Sequence, residues 1–332
     1  FGGNILSGKG MKFRPTTPIF FNEPATGRDE ASLYYNWLTE LTLNYNKTFG
    51  MHSINGLAGY TMQREKGYTN LIESNLFPNN FVPTLNAASA ITMGTSEITS
   101  WSLISYLARV TYNYNSKYYL TTSIRTDGSS RFGSERRFAL FPSLGLAWRV
   151  SGENFMKQLP FISMLKLRTS YGESGNNDIG NYRQYATISY LKYPFGDAVV
   201  GGFAPNQLAN PLLTWEKQIQ FNIGLDVGFF NDRIYLTLDH FRSNNKDLLL
   251  NVNIPGTTGF NTALQNIGEV KNKGWEFSVN TKNITRKFEW ETDFNFSTFK
   301  NEVVKLGPSG DPIYSGNNVT MIGQPIGMFY GY

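Results

Sequence analysis

The chain of 332 residues has no cysteine and only two histidines, His52 and His240. The first absence excludes a disulfide framework, thiol catalysis and any cysteine-held zinc. The second excludes a three-histidine metal site built within the chain. Charge is scarce, at 17% Asp, Glu, Lys and Arg against about 25% in a typical soluble domain. The net charge of +5 comes from scattered Lys and Arg rather than a basic stripe, which argues against a nucleic-acid partner. Long apolar runs are missing as well. The longest is the four residues from Phe138 to Phe141, far short of the roughly 18 that a membrane-crossing helix needs. Phe1-Gly2-Gly3 is no start sequence, so the numbering is expected to begin inside a longer protein.

What is present is aromatic residues, 15% of the chain with 25 Phe, 19 Tyr and 6 Trp, together with 32 Gly. They fall in a period-2 pattern. Over residues 218–229, Ile219, Phe221, Ile223, Leu225, Val227 and Phe229 share one face. Gln218, Gln220, Asn222, Gly224, Asp226 and Gly228 share the other. The same alternation runs through 275–280 and 288–298, and a helix would scatter such residues around its surface. The pattern predicts about ten long strands, near 34–46, 51–63, 98–114, 117–126, 138–150, 164–172, 215–229, 233–244, 273–283 and 288–300. Several reach about 12 residues, whereas globular strands peak near 5–6 and tilted membrane-crossing strands need about 9–11.

The predicted connections alternate in length. Asn46 to Gly50, Asn115-Ser116, Phe230 to Asp232 and Ile284 to Lys287 are short, whereas 64–97, 127–137, 173–214 and 245–272 are long. An antiparallel barrel of the outer membrane has this arrangement, with short periplasmic turns and long extracellular loops. Lipid cannot hydrogen-bond a backbone, so a spanning sheet closes on itself, with apolar residues outward and polar residues in the lumen. The expected fold is therefore all-β, a transmembrane antiparallel β-barrel, with residues 1–332 forming part of one barrel domain. Aromatics beside the short turns, such as Tyr112, Tyr114, Tyr118, Phe229 and Phe230, read as an interfacial girdle or as ordinary strand aromatics.

An ordered series of motifs adds to this. Arg125-Thr-Asp-Gly-Ser-Ser-Arg-Phe-Gly133 is followed by Phe141-Pro-Ser143, Ala147-Trp-Arg149 and Leu165-Lys-Leu-Arg-Thr-Ser-Tyr-Gly172. Then come Leu213-Thr-Trp-Glu216, Asn222-Ile-Gly-Leu-Asp226, Asp247-Leu-Leu249, Asn266-Ile-Gly268 and Asn272-Lys-Gly-Trp-Glu276. In order and spacing this resembles the barrel region of SusC/RagA-type TonB-linked outer-membrane proteins of the Bacteroidetes. Motifs carry the likeness over about 100–332, strand pattern alone over 1–99. The resemblance implies a barrel of about 22 strands that encloses a plug. It also implies TonB-energised import of a bulky oligosaccharide or peptide, and a SusD-like surface lipoprotein as partner. The ten strands here are part of such a barrel, with the plug and the TonB-box expected outside this chain. A passive porin, or a structural barrel component of a larger outer-membrane complex, is the alternative.

Catalysis has little support. His240 sits in mid-strand and His52 follows a short turn, neither beside a nucleophile motif, so no enzyme, cofactor or metal is expected. Asp127 and Arg131 lie in a predicted loop and read either as ligand contacts or as a turn fixed by its own side chains. Trp215 and Trp275 open long strands and read as sugar-stacking platforms or as interfacial anchors. Phe260, with the loops 173–214 and 245–272, is the expected docking place of the lipoprotein.

Overall fold

The computed structural model describes residues 1–16 and 23–331. It contains two compact units, Phe1–Leu41 with Thr61–Ile104, and Thr42–Tyr60 with Ser105–Tyr332. Helical structure among the described residues is limited to short 3-10 turns. The strands are β1 (Gly2–Arg14), β2 (Thr26–Phe49), β3 (His52–Asn75), β4 (Ala90–Tyr114), β5 (Tyr118–Ser129), β6 (Phe138–Arg149) and β7 (Ile162–Asn176). They continue with β8 (Thr187–Phe195), β9 (Ala198–Gln207), β10 (Glu216–Phe229), β11 (Ile234–Asn253), β12 (Thr262–Thr285) and β13 (Glu289–Lys305). The short β14 (Ile313–Ser315), β15 (Asn318–Thr320) and β16 (Met328–Phe329) follow. Eleven strands hydrogen-bond in chain order, with β7 pairing β10 across the separate β8–β9 hairpin.

All ten expected strands are present, and the structure corrects the reading in three ways. β1 is an additional strand, hidden in the sequence because Gly2, Gly3, Gly8 and Gly10 break its apolar alternation. The 173–214 connection holds the β8–β9 hairpin. The connections expected at 64–97 and 245–272 are largely strand, since β3 reaches Asn75, β4 begins at Ala90, and β11 and β12 leave only 254–261 between them. These extensions carry polar residues on both faces, so period-2 hydrophobicity fades there while backbone pairing continues.

In the first unit, Glu65 on β3 accepts from Asn36 Nδ2 on β2 (3.2 Å) and Trp101 Nε1 on β4 (3.0 Å). In the second, the short turns use left-handed backbone. Asn115 and Ser116 have φ of 51° and 52°, the two-residue arrangement that matches strand twist in a hairpin. Beside these turns an aromatic run crosses five strands. Phe49 stacks on His52 (5.2 Å), His52 packs on Tyr114 (4.9 Å), Tyr114 stacks on Tyr118 (6.2 Å) and Tyr118 on Trp148 (6.4 Å). His52 is thus part of this aromatic run.

Candidate functional site

The two sheet faces of the second unit reverse the pattern of a soluble protein. The polar face is the covered one. Arg168 on β7 donates through Nε and Nη2 to both carboxylate oxygens of Asp226 on β10 (2.9 Å each), and through Nη2 to Asp239 on β11 (3.0 Å). Asp226 and Asp239 are only 7% and 9% exposed. Gly224 makes room for this triad, because a Cβ there would sit 2.3 Å from Asp239 Oδ1 and 2.7 Å from the Arg168 guanidinium. Arg125 holds Asp127 through Nε (2.8 Å) and reaches Ser105 through Nη2 (3.1 Å). The opposite face carries Leu144, Leu146, Leu167, Phe221, Ile223, Leu238, Phe277, Phe294 and Phe296, all open, Phe296 by 56%. Burying a paired charge while leaving such rings uncovered is unfavourable in water and favourable against hydrocarbon.

At the long-connection ends, distant segments interlock. The Trp215 side chain is 3% exposed. Its ring packs on Phe132 (5.2 Å) and Phe141 (5.6 Å), and its Nε1 donates to the Arg137 carbonyl (3.0 Å). Gly175 permits this contact, since a Cβ there would meet the Phe141 ring at 2.2 Å. Asn266 on β12 donates to the carbonyls of Thr214 and Asp247 (2.8 Å each) and accepts from the Thr214 N–H (2.9 Å). Glu216 accepts from Asn176 Nδ2 (2.8 Å) and from the Leu249 N–H (2.9 Å), which secures the β11 bulge where Asp247 turns left-handed at φ 55°. Arg131 reaches Asn181, the Asn177 carbonyl and Asp178. The ordered motifs of the sequence that hold Phe132, Phe141, Trp215, Asp247 and Asn266 therefore meet in this lock.

Beside the lock lies a depression of about 750 Å³ between the segment 206–212 and the ends of β11 and β12. Its polar lining is amide-rich, with Asn206, Gln207, Asn210, Asn251, Gln265 and Asn266, and Arg183 is its one charged residue. Asn210, Gln207 and Asn266 are engaged by backbone or by Arg183. Asn206 and Asn251 have no side-chain partner among the described residues, and register sets Asn251 on the same face as Asn266, so their donors and acceptors remain open to a ligand, whereas Gln265 leaves the opposite face with Leu250.

Of the five residues singled out from the sequence, Asp127, Arg131 and Trp215 gather in or next to the lock. Phe260 is half-buried in the 254–261 turn, where its N–H meets Thr258 Oγ1 (3.4 Å). Trp275 stands apart on the apolar face, 50% exposed, with its ring 4.4 Å from that of His240. The open amides of the depression were missed, since single Asn and Gln residues in turn-rich segments carry no spacing signal. No group of three or more His, Cys, Asp or Glu suited to a metal occurs among the described residues.

Known proteins match this arrangement. A family described as TonB dependent receptor-like, beta-barrel matches residues 8–324. The chain is 40% identical over 339 aligned residues to the TonB-dependent receptor P39 of Formosa agariphila, which covers 100% of the chain and 32% of that relative. It is 38% identical over 258 residues to the TonB-dependent receptor SusC of Bacteroides thetaiotaomicron, covering 72% of the chain and 26% of the relative. Among solved structures, that of the RagAB peptide transporter superposes with a TM-score of 0.85 at 27% identity, over 98% of this chain and 36% of the other. The chain thus spans about a third of the length of the relatives it matches.

Proposed function

The chain belongs to the family of TonB-dependent receptor-like β-barrels, and from that premise we propose that the protein it forms part of imports a bulky polar nutrient. Proteins of this family reside in the outer membrane and are transporters rather than enzymes. The exposed apolar face is the face that meets lipid. In this reading the long connections face the cell exterior, energy arrives through TonB, and a SusD-like lipoprotein docks over the 173–214 and 245–272 segments. The nutrient is an oligosaccharide or peptide.

The observation that carries the reading is the amide-lined depression. Hydroxyls of a sugar and amides of a peptide both pair with side-chain amides, and the lining carries no carboxylate that would select a cation. Arg183 is occupied by Gln207 Oε1 (3.1 Å). The likeness to the RagAB peptide transporter supports a peptide as one such cargo.

The test is uptake of labelled neutral oligosaccharides and peptides by cells carrying the full-length protein. Asn251→Ala is expected to lower uptake of one class by roughly fivefold, the loss of about one hydrogen bond. Collapse of the inner-membrane proton gradient is expected to stop uptake. Uptake that persists after collapse favours a passive porin, and unchanged uptake in a deletion strain removes the import reading altogether.

A further inference from the structure

The lipid-facing side of β11, β12 and β13 ends in a row of like charges. Register places Arg242 opposite Lys273 and Lys273 opposite Lys300. Directly opposed side chains in an antiparallel sheet have Cβ atoms about 4.5–5.5 Å apart, and like charges so placed repel. One row further out, Lys271 stands between Asn244 and Glu302. Glu302 lies 3.8 Å from Lys300, and Glu269 is turned to Asn244 Nδ2 (2.8 Å). Among the described residues no carboxylate pairs with Arg242, Lys271 or Lys273. Three adjacent strands thus hold four cations against two nearby carboxylates, Glu302 and the Asn244-bound Glu269, in a chain with few charges.

The row's position gives it meaning. On the same face the next row toward the short turns is His240, Trp275 and Thr298, followed by Leu238, Phe277 and Phe296, the open apolar band. The cations also rim a depression of about 470 Å³ whose other wall includes Ile219 and Phe221. An occupant that satisfies both walls is amphipathic, with an anionic head at the cations and hydrocarbon below. A free anion leaves the apolar wall uncovered.

We propose that Arg242, Lys273 and Lys300, with Lys271, bind the phosphate of a phosphorylated glycolipid in the outer leaflet. The phosphate offers several acceptor oxygens to the cations and relieves their mutual repulsion, while the acyl chains continue along Phe221, Leu238 and Phe277. The leaflet assignment rests on the orientation proposed above; the binding chemistry does not.

The experiment uses the purified full-length transporter in nanodiscs of phosphatidylcholine alone, with added phosphorylated glycolipid, or with the same glycolipid dephosphorylated. Bound lipid is counted by native mass spectrometry and stability by thermal unfolding. Wild type is expected to retain the phosphorylated form at roughly tenfold or more over R242Q/K273Q/K300Q and to gain stability from it. In phosphatidylcholine alone the variant is expected to be at least as stable as wild type, because the repulsion is gone. K273Q, the centre of the row, gives the same direction at smaller size if the triple variant folds poorly. Equal retention by wild type and variant, equal retention of the dephosphorylated lipid, or the same stabilisation from inorganic phosphate would overturn the proposal. Orientation is read separately by an impermeant maleimide on intact cells, with Thr257→Cys expected to label and Ser116→Cys not. The reverse labelling removes the outer-leaflet assignment while leaving the nanodisc result to decide the site.

Discussion

At the short-turn ends of the second unit, neighbouring strands are tied by stacked rings, from Phe49 through His52, Tyr114 and Tyr118 to Trp148. At the long-connection ends they are tied by side-chain bonds to distant backbone, through Trp215, Asn266, Glu216 and Arg131. A two-residue turn satisfies its own geometry and needs only an interfacial anchor. A long connection leaves many backbone groups to satisfy, and a few amides and carboxylates each close two or three of them. The ends also differ on the lipid side, with rings at one and a cation row at the other.

The strongest way to break this contrast is Trp215→Ala. Removing a buried ring of this size costs roughly 3–5 kcal/mol where it can be measured. The expected result is faster hydrogen exchange and proteolysis across 177–213, with the short-turn ends unchanged. Equal loosening at both ends would contradict a separate lock.

A smaller effect sharpens the contrast between faces. Leu238→Arg, in the apolar band, is expected to cost about 2–4 kcal/mol near mid-depth. Gln220→Arg, on the polar face beside Gly172 and Ser243, is expected to stay within about 0.5 kcal/mol. Denaturant unfolding in lipid reads both, and similar costs would sink the assignment of faces.

The smallest effect concerns acid. Glu153, in the connection between β6 and β7, accepts from Lys117 Nζ (2.9 Å), Tyr118 OH (2.7 Å) and Trp148 Nε1 (3.2 Å). These bonds, that of Lys117 first, hold its carboxyl down at about 2. A carboxyl lowered in the folded state stabilises above its ordinary range, near 4.5, and loses that contribution as pH falls toward 2. Thermal unfolding of Glu153→Gln is expected to show a flatter acid limb than wild type; parallel limbs would remove Glu153 from the account.

Much of the fold was legible because lipid imposes a strict rule, apolar outward at every second residue, and ten strands obey it. β1 and the strand extensions escaped because their faces are not sorted by polarity. The site was less legible. Trp215 at a strand start reads like the interfacial Trp275, and only packing on Phe132 and Phe141, far away in sequence, separates the enclosed ring from the open one. The Arg242–Lys273–Lys300 row was invisible for the same reason, since it exists only once register is known.

The order of the eleven strands has a kinetic consequence. Each pairs with the next along the chain, apart from β7, which waits for β10. A chain so arranged can assemble hairpin by hairpin, each addition closing a short loop before the next is made. The one deferred step must close over 177–215, yet closure entropy rises by only about 0.6 kcal/mol per doubling of loop length. That segment is therefore free to lengthen between its fixed points at little entropic cost to assembly, while Asn177, Thr214 and Trp215 keep their bonds and the strands around it keep their sequence of pairing.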